Sequence, residues 1–241
     1  MALILNIDTA LETAAVSLAE KGNVLRSEVN DSQKDHTAWL QPAIKRLLQD
    51  AKRELKEINA VAVSNGPGSY TGLRVGLATA KGLCYALDIP LVAASTLELI
   101  AFSAIKDLEM LDTASLMPGL RFPAPDFLIC PMIDARRMEV FTAVFDSNLA
   151  QTTEPHALIL TEHSFEGLLK GHKILFLGNG STKFQAICRH PHAIFKNFPF
   201  NHSAMALLTY TNYIGNNFAD LAYIQPLYLK EFFTAGTPRH E

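Results

Sequence analysis

The feature that most constrains this chain is an order of motifs met twice. Residues 2–7 (ALILNI) form a short apolar run that ends on Asp8, and residues 127–134 (FLICPMID) form another that ends on Asp134. Near-continuous apolar runs of this length suit strands of a parallel sheet covered on both faces. "NIDTA" at 6–10 answers "MIDAR" at 132–136, and "SNGPGS" at 64–69 answers "LGNGS" at 177–181. Each match alone is short enough to arise by chance. Their shared order points to one βββαβα plan built twice, an α/β fold. The expected organisation is a first subdomain over 1–107, a Pro-rich connecting segment over 108–126 and a second subdomain over 127–241. The last helix can pack back on the first subdomain.

Local signals fill in the plan. Residues 13–19 and 24–29 are β-compatible and flank a Lys21-Gly22-Asn23 turn. From 36 to 53, Leu40, Ile44, Leu47, Leu48, Ala51 and Leu55 recur at helical spacing, and Asp35 can cap the start. Strand 58–64 runs into the tight loop NGPGSYTG. A second helix covers 71–87, then strand 90–94 and a helix over 97–106. In the second half, 139–146 pairs with 127–134, and a third strand lies within 148–160. A helix starts near Thr161, strand 173–177 runs into a Gly-x-Gly turn, and a final helix covers Ser203 to Gly215.

Composition narrows the function classes. The chain has 241 residues, 21 Lys and Arg against 24 Asp and Glu, and a formal net charge of −3. Broad nucleic-acid binding runs on neutralising phosphates with a basic surface, and here acid outnumbers base. A chain of this length buries roughly 70–75% of its unfolded surface and needs no disulfide or metal staple. Cys84, Cys130 and Cys188 sit in apolar surroundings with no CxxC pair, as buried reduced thiols do. MALILNID lacks a basic leader region, and Lys81, Asp88 and Glu98 interrupt the most apolar stretch. The expectation is a cytoplasmic protein without a membrane span.

Three constellations could carry chemistry. The first is the pair of strand-end acids. Asp8 and Asp134 could hold a hydrated Mg²⁺ beside phosphates in a cleft at the strand ends. Neither following turn holds the glycine a phosphate cradle uses, so turn acids bonded to local amides fit equally well. The second is the loop at 65–76. Gly66 and Gly68 free its backbone, Ser69 or Thr71 can cap the next helix, and Arg74 lies one turn in. It is neither a Walker A loop nor a nucleophile elbow, since no GKS or GKT closes it and Pro67 and Thr71 stand where the elbow needs glycine. A purely structural strand-to-helix turn accounts for its glycines about as well. The third is the face of helix 71–87, where Gly72, Gly76 and Ala80 lie four apart, as do Ala78, Gly82 and Ala86. Interior glycines cost about 1 kcal/mol each relative to alanine, so they want a reason, and close approach of another helix is one. That helix belongs either to the same subunit or to a partner. Trp39 on the preceding helix could anchor a partner contact. No HxxxH or HExxH pair and no Cys/His ligand spacing is present, so no catalytic zinc or iron site is expected.

The ordered segments LILNIDTALETAAVSL, DHTAWLQPAIKRLL, AVAVSNGPGSYTGLRVGLATAKGL, IPLVAASTLE, IDARRMEVFTAVF, LGNGS and PLYLK resemble the TsaB (YeaZ) family, once grouped as glycoprotease-like. GPGSYTGLR is the most specific part, and 108–126 matches little. The resemblance implies an ASKHA (actin/sugar-kinase-like) fold of two related subdomains. It implies a non-catalytic scaffold in the machinery that places threonylcarbamoyl on the adenosine beside the anticodon of ANN-reading tRNAs. In that machinery the paralogue TsaD holds the metal and transfers the group, TsaE is the ATPase, and a separate synthase supplies threonylcarbamoyl-adenylate. TsaD-type proteins ligate metal through an HxxxH helix; here His36 is followed four residues on by Leu40. By family analogy, helices 36–53 and 71–87 form the TsaD contact through Trp39, Ile44, Leu47, Gly72, Arg74, Gly76, Ala80 and Leu83. The same face can pair two copies. ATP or ADP is expected only at the TsaD interface and tRNA only within the complex. The rival expectation is an ATP- and Mg²⁺-dependent ASKHA enzyme using Asp8 and Asp134. A peptidase has no nucleophile–base constellation to rest on.

Overall fold

The computed structural model describes residues 2–31, 35–110, 122–196, 198 and 201–230. Among them ten strands form two five-stranded sheets. The first holds β1 (Leu3–Asp8), β2 (Ala14–Glu20), β3 (Asn23–Asn30), β4 (Ala60–Ser64) and β5 (Leu91–Ala94), in the order β3-β2-β1-β4-β5. The second holds β6 (Phe127–Asp134), β7 (Glu139–Asp146), β8 (Gln151–Ile159), β9 (Lys173–Leu177) and β10 (Ala193–Phe195), in the order β10-β9-β6-β7-β8. Read from the opposite edge, the two orders are the same. The directions match as well: β1 is antiparallel to β2 and parallel to β4, and β6 is antiparallel to β7 and parallel to β9.

Among the described residues six α-helices complete the plan: α1 (His36–Ala51), α2 (Tyr70–Leu87), α3 (Thr96–Met110), α4 (Glu166–Leu169), α5 (Ser181–Ile187) and α6 (His202–Ile214). The helix expected near Thr161 begins only at Glu166. The Thr161 amide donates to Ser164 Oγ at 2.9 Å, and Phe165 takes a left-handed conformation at φ 63°, so residues 161–165 turn before the chain winds. The short elements α5 and β10 were not expected from the sequence. Residues 111–121 of the connecting segment and the chain end from 231 lie outside the described residues.

Packing follows from which strand faces are apolar. Helices α1 and α2 cover one face of the first sheet, where Leu40, Ile44 and Leu47 meet Leu5, Ile7, Val16 and Val61. The opposite face is covered by α6, a helix of the second half: Tyr210 and Tyr213 lie on Ile4, Ala60, Ala62 and Val92. Thr209 Oγ1 on α6 donates to Asn6 Oδ1 on β1 at 2.6 Å, a buried bond. The exchange is reciprocal. Helix α3, encoded in the first half, lays Leu97, Ala101, Ala104, Ile105 and Leu108 against Phe127, Ile129, Ala143 and Leu175 of the second sheet. The expected boundary at residue 107 falls inside α3. No helix among the described residues is long and apolar enough to cross a membrane.

Candidate functional site

The ends of β1 and β6 bring the two acids to the cleft between the halves, in different states. Asp8 is 3% exposed, and its Oδ1 accepts from Ser64 Oγ at 2.5 Å and from the Ala10 amide at 3.1 Å. Burial pushes its carboxyl above the ordinary aspartate value, against the pull of those two bonds and of His202 and His36. Asp134 lies at the surface. Burial raises its carboxyl, but Lys183 Nζ at 2.6 Å and the Arg136 amide at 2.6 Å together outweigh that and hold it below the usual range. A Mg²⁺ at Asp134 would have to displace an ammonium already in contact.

The Gly-rich turns are pressed onto their neighbours. Ser69 N donates to the Ala10 carbonyl at 2.7 Å, and a β-carbon on Gly68 would strike that same carbonyl. Gly66 has φ +107°, and its carbonyl accepts from Thr96 N at 2.8 Å. In the second half Gly180 N donates to the Met132 carbonyl at 3.0 Å, and a β-carbon at 180 would meet the backbone of Ile133 and Asp134. Each turn therefore docks at the end of the first strand of its own half, the first on the turn after β1 and the second on the last residues of β6. The amides at Ser69 and Gly180 are committed to that contact and do not point at a phosphate. Ser69 Oγ caps α2, accepting from Gly72 N at 3.3 Å. Those amides are thus taken up within the fold, and Asp134 is already paired with Lys183, so a Mg²⁺ bridge between the acids does not fit this arrangement. Among the described residues no group of three or more His, Cys, Asp and Glu is placed to hold a metal.

The two small-residue stripes of α2 face opposite ways. Gly72, Gly76 and Ala80 are buried, and β-carbons at 72 and 76 would run into the Thr9 carbonyl and the Thr9 hydroxyl. Ile44 and Leu47 are buried in the core below α1. Trp39 and Leu83 are half-buried against that core, and Arg74 is exposed. Of the residues expected at a partner surface, the structure places five in the chain's own interior. Close approach inside the subunit is what Gly72 and Gly76 serve. The other stripe, Ala78, Gly82 and Ala86, is exposed, and among the described residues nothing lies within 4 Å of where a Gly82 β-carbon would stand. Tyr85 beside it is 84% exposed. Gln41 on α1 reaches Thr79 on α2 at 3.3 Å and fixes the helices side by side.

A tail segment ties the halves together, and the sequence signal for it was only the motif PLYLK. Asn65 Nδ2 donates to the Gln225 carbonyl at 3.0 Å, and the Leu227 amide returns a bond to the Asn65 carbonyl at 2.8 Å. Arg74 Nε donates to the Tyr228 hydroxyl at 3.0 Å, with the Tyr228 ring 5.1 Å from that of Tyr70. Lys230 then reaches Glu139 of the second sheet.

The repeated sheet order, the exchanged helices and the acid-tipped central strands define a duplicated α/β protein of the actin and sugar-kinase type. A family model described as "TsaD: tRNA N6-adenosine threonylcarbamoyltransferase" matches residues 24–223. The chain is 32% identical over 182 residues to the tRNA threonylcarbamoyladenosine biosynthesis protein TsaB of Bacillus subtilis, covering 74% of this chain and 72% of that protein. It is 37% identical over 101 residues to the protein of the same name from Escherichia coli, covering 42% of this chain and 43% of that one. The solved structure of YeaZ from Pseudomonas aeruginosa superposes with a TM-score of 0.74 at 22% identity, over 95% of this chain and 100% of that chain. The chain belongs to the TsaB (YeaZ) family.

Proposed function

We propose that this chain is a non-catalytic scaffold subunit in threonylcarbamoyladenosine biosynthesis on tRNA, binding and stabilising the catalytic paralogue TsaD and working with the ATPase TsaE. The pathway follows from the names its relatives carry. The observation that carries the scaffold role is the outward stripe of α2. Gly82 sits in the middle of an 18-residue helix, where glycine costs about 1 kcal/mol relative to alanine. Its own fold makes no use of that position, whereas it does use Gly72 and Gly76. Ala78, Gly82 and Ala86, flanked by Arg74 and Tyr85, let a second helix lie close to the α2 backbone. Tyr and Arg are the side chains that most often anchor such contacts. The partner surface is therefore this outer face, with Trp39 and Leu83 at its base, and the same face pairs two copies when TsaD is absent. ATP or ADP and tRNA enter with the assembled complex.

The test is co-elution of the full-length chain with TsaD in size-exclusion chromatography. Gly82→Arg leaves the circular dichroism spectrum intact and abolishes co-elution. Unchanged co-elution would show that the surface lies elsewhere. The competing reading, an ATP- and Mg²⁺-dependent enzyme resting on the strand-end acids, is countered by the Asp134–Lys183 pair and the committed turn amides. Calorimetric heat from ATP with Mg²⁺ on the isolated chain would restore it.

A further inference from the structure

Between the two halves lies a cavity of about 440 Å³, within the roughly 300–1,000 Å³ of small-molecule sites. The end of β1 and its following turn supply Asp8, Leu11 and Glu12. Helix α3 supplies Ile100 and Ser103, the β9 end supplies Leu177 and Asn179, and the start of α6 supplies His202. Most of its wall is apolar, so it favours a ligand with a hydrocarbon or aromatic body.

Its charge has one sign. Asp8 and Glu12 are acids, and no Lys or Arg lines the cavity among the described residues. Burial pulls the His202 imidazole below its usual 6.5, the nearby Asp8 charge only partly opposing, so His202 is neutral at pH 7. Such a site repels phosphates and carboxylates. A second polar group asks for a partner: Ser103 is 4% exposed, and its Oγ is a buried hydroxyl with no hydrogen-bond partner among the described residues. A buried polar group left unsatisfied carries its full desolvation cost, which a bound partner would relieve. Asp8 carries a similar tension: burial disfavours its ionised form, and a cation set against it would favour that form again.

We infer that this cavity binds a small amphipathic primary amine, its ammonium set against Asp8 and Ser103 and its apolar body against Leu11, Ile100 and Leu177. An ammonium brings three donors and one positive charge. The site offers a carboxylate and a hydroxyl as acceptors, with Glu12 at the mouth adding attraction. This ligand role is separate from the docking face on α2 and does not depend on it.

Three probes of one shape decide the matter at pH 7: phenethylamine as the cation, 2-phenylethanol as the neutral isostere and phenylacetate as the anion. Calorimetry on the full chain gives a Kd of about 1 mM or tighter for the amine, and binding at least about tenfold weaker for the other two. Amide shifts in NMR on adding the amine centre on residues 8–12, 100–103 and 177–179. Asp8→Asn weakens the amine at least about tenfold. Glu12→Gln, at an exposed position, weakens it a few-fold and leaves 2-phenylethanol unchanged. Absence of amine binding at several millimolar overturns the inference. So do phenylacetate binding as tightly as the amine, an amine affinity indifferent to Glu12→Gln, and shifts centred elsewhere.

Discussion

Thr9 Oγ1 donates to the Gly72 carbonyl at 2.7 Å, a buried bond that fixes how closely α2 lies on the turn after β1. The hydroxyl fills the space that a side chain at residue 76 would need, and the Thr9 carbonyl fills the space at 72. Gly72→Ala must move backbone, whereas Gly76→Ala has to displace only a side-chain hydroxyl. Urea unfolding should show both variants destabilised, by about 1–3 kcal/mol for Gly76→Ala and by more for Gly72→Ala. Equal, negligible losses would mean that α2 stands farther from Thr9 than described.

On the opposite face the sign reverses. Among the described residues a β-carbon at Gly82 meets nothing. Gly82→Ala should stabilise the isolated chain by about 0.5–1 kcal/mol, through helix propensity and a less flexible unfolded chain. The midpoint of thermal or urea unfolding checks this.

Asp8 predicts a pH dependence. Its folded pKa is raised by burial, so the folded chain holds that proton to higher pH than the unfolded chain. The resulting stabilisation is complete below the unfolded value near 3.8 and is lost as pH rises through the folded pKa. Asp8→Asn keeps an oxygen acceptor for Ser64 and Ala10 and cannot ionise. The difference in unfolding free energy, native minus variant, should therefore fall with rising pH across that window, by at most about 1.4 kcal/mol per pH unit. A flat or rising difference contradicts the assigned burial.

Two thiols are held inert. Burial pushes Cys130 up to about 12 and Cys84 up to about 11. Because the thiolate is the reactive form, neither should be alkylated at pH 8 in the folded chain, and both should react on unfolding. Mass spectrometry after iodoacetamide, with and without guanidinium, reads this directly.

Much of the architecture was legible because strands buried on both faces write themselves as apolar runs. Leu3–Asp8 and Phe127–Asp134 match the stretches expected for them closely. The glycine loop at 65–69 was visible as a tight turn, though not that its Ser69 amide is directed at Ala10. Helical periodicity revealed two small-residue stripes on α2 and could not say which one faces in, since both have the same spacing. The core resolves that question only through Thr9, a residue far away in sequence. Short elements such as α5 and β10 span too few residues to set up a period. The 161–165 turn was hidden because it depends on Phe165 adopting a left-handed conformation that its side chain does not advertise.

The traded helices α3 and α6 have a consequence for how this polypeptide can be divided. Cutting it in the 111–121 stretch separates each sheet from a helix that shields it, leaving Ile4, Ala62 and Val92 bare on one fragment and Phe127, Ile129 and Leu175 bare on the other. Although the chain reads as a doubled gene, neither copy is autonomous, and the two must acquire their structure as one cooperative unit.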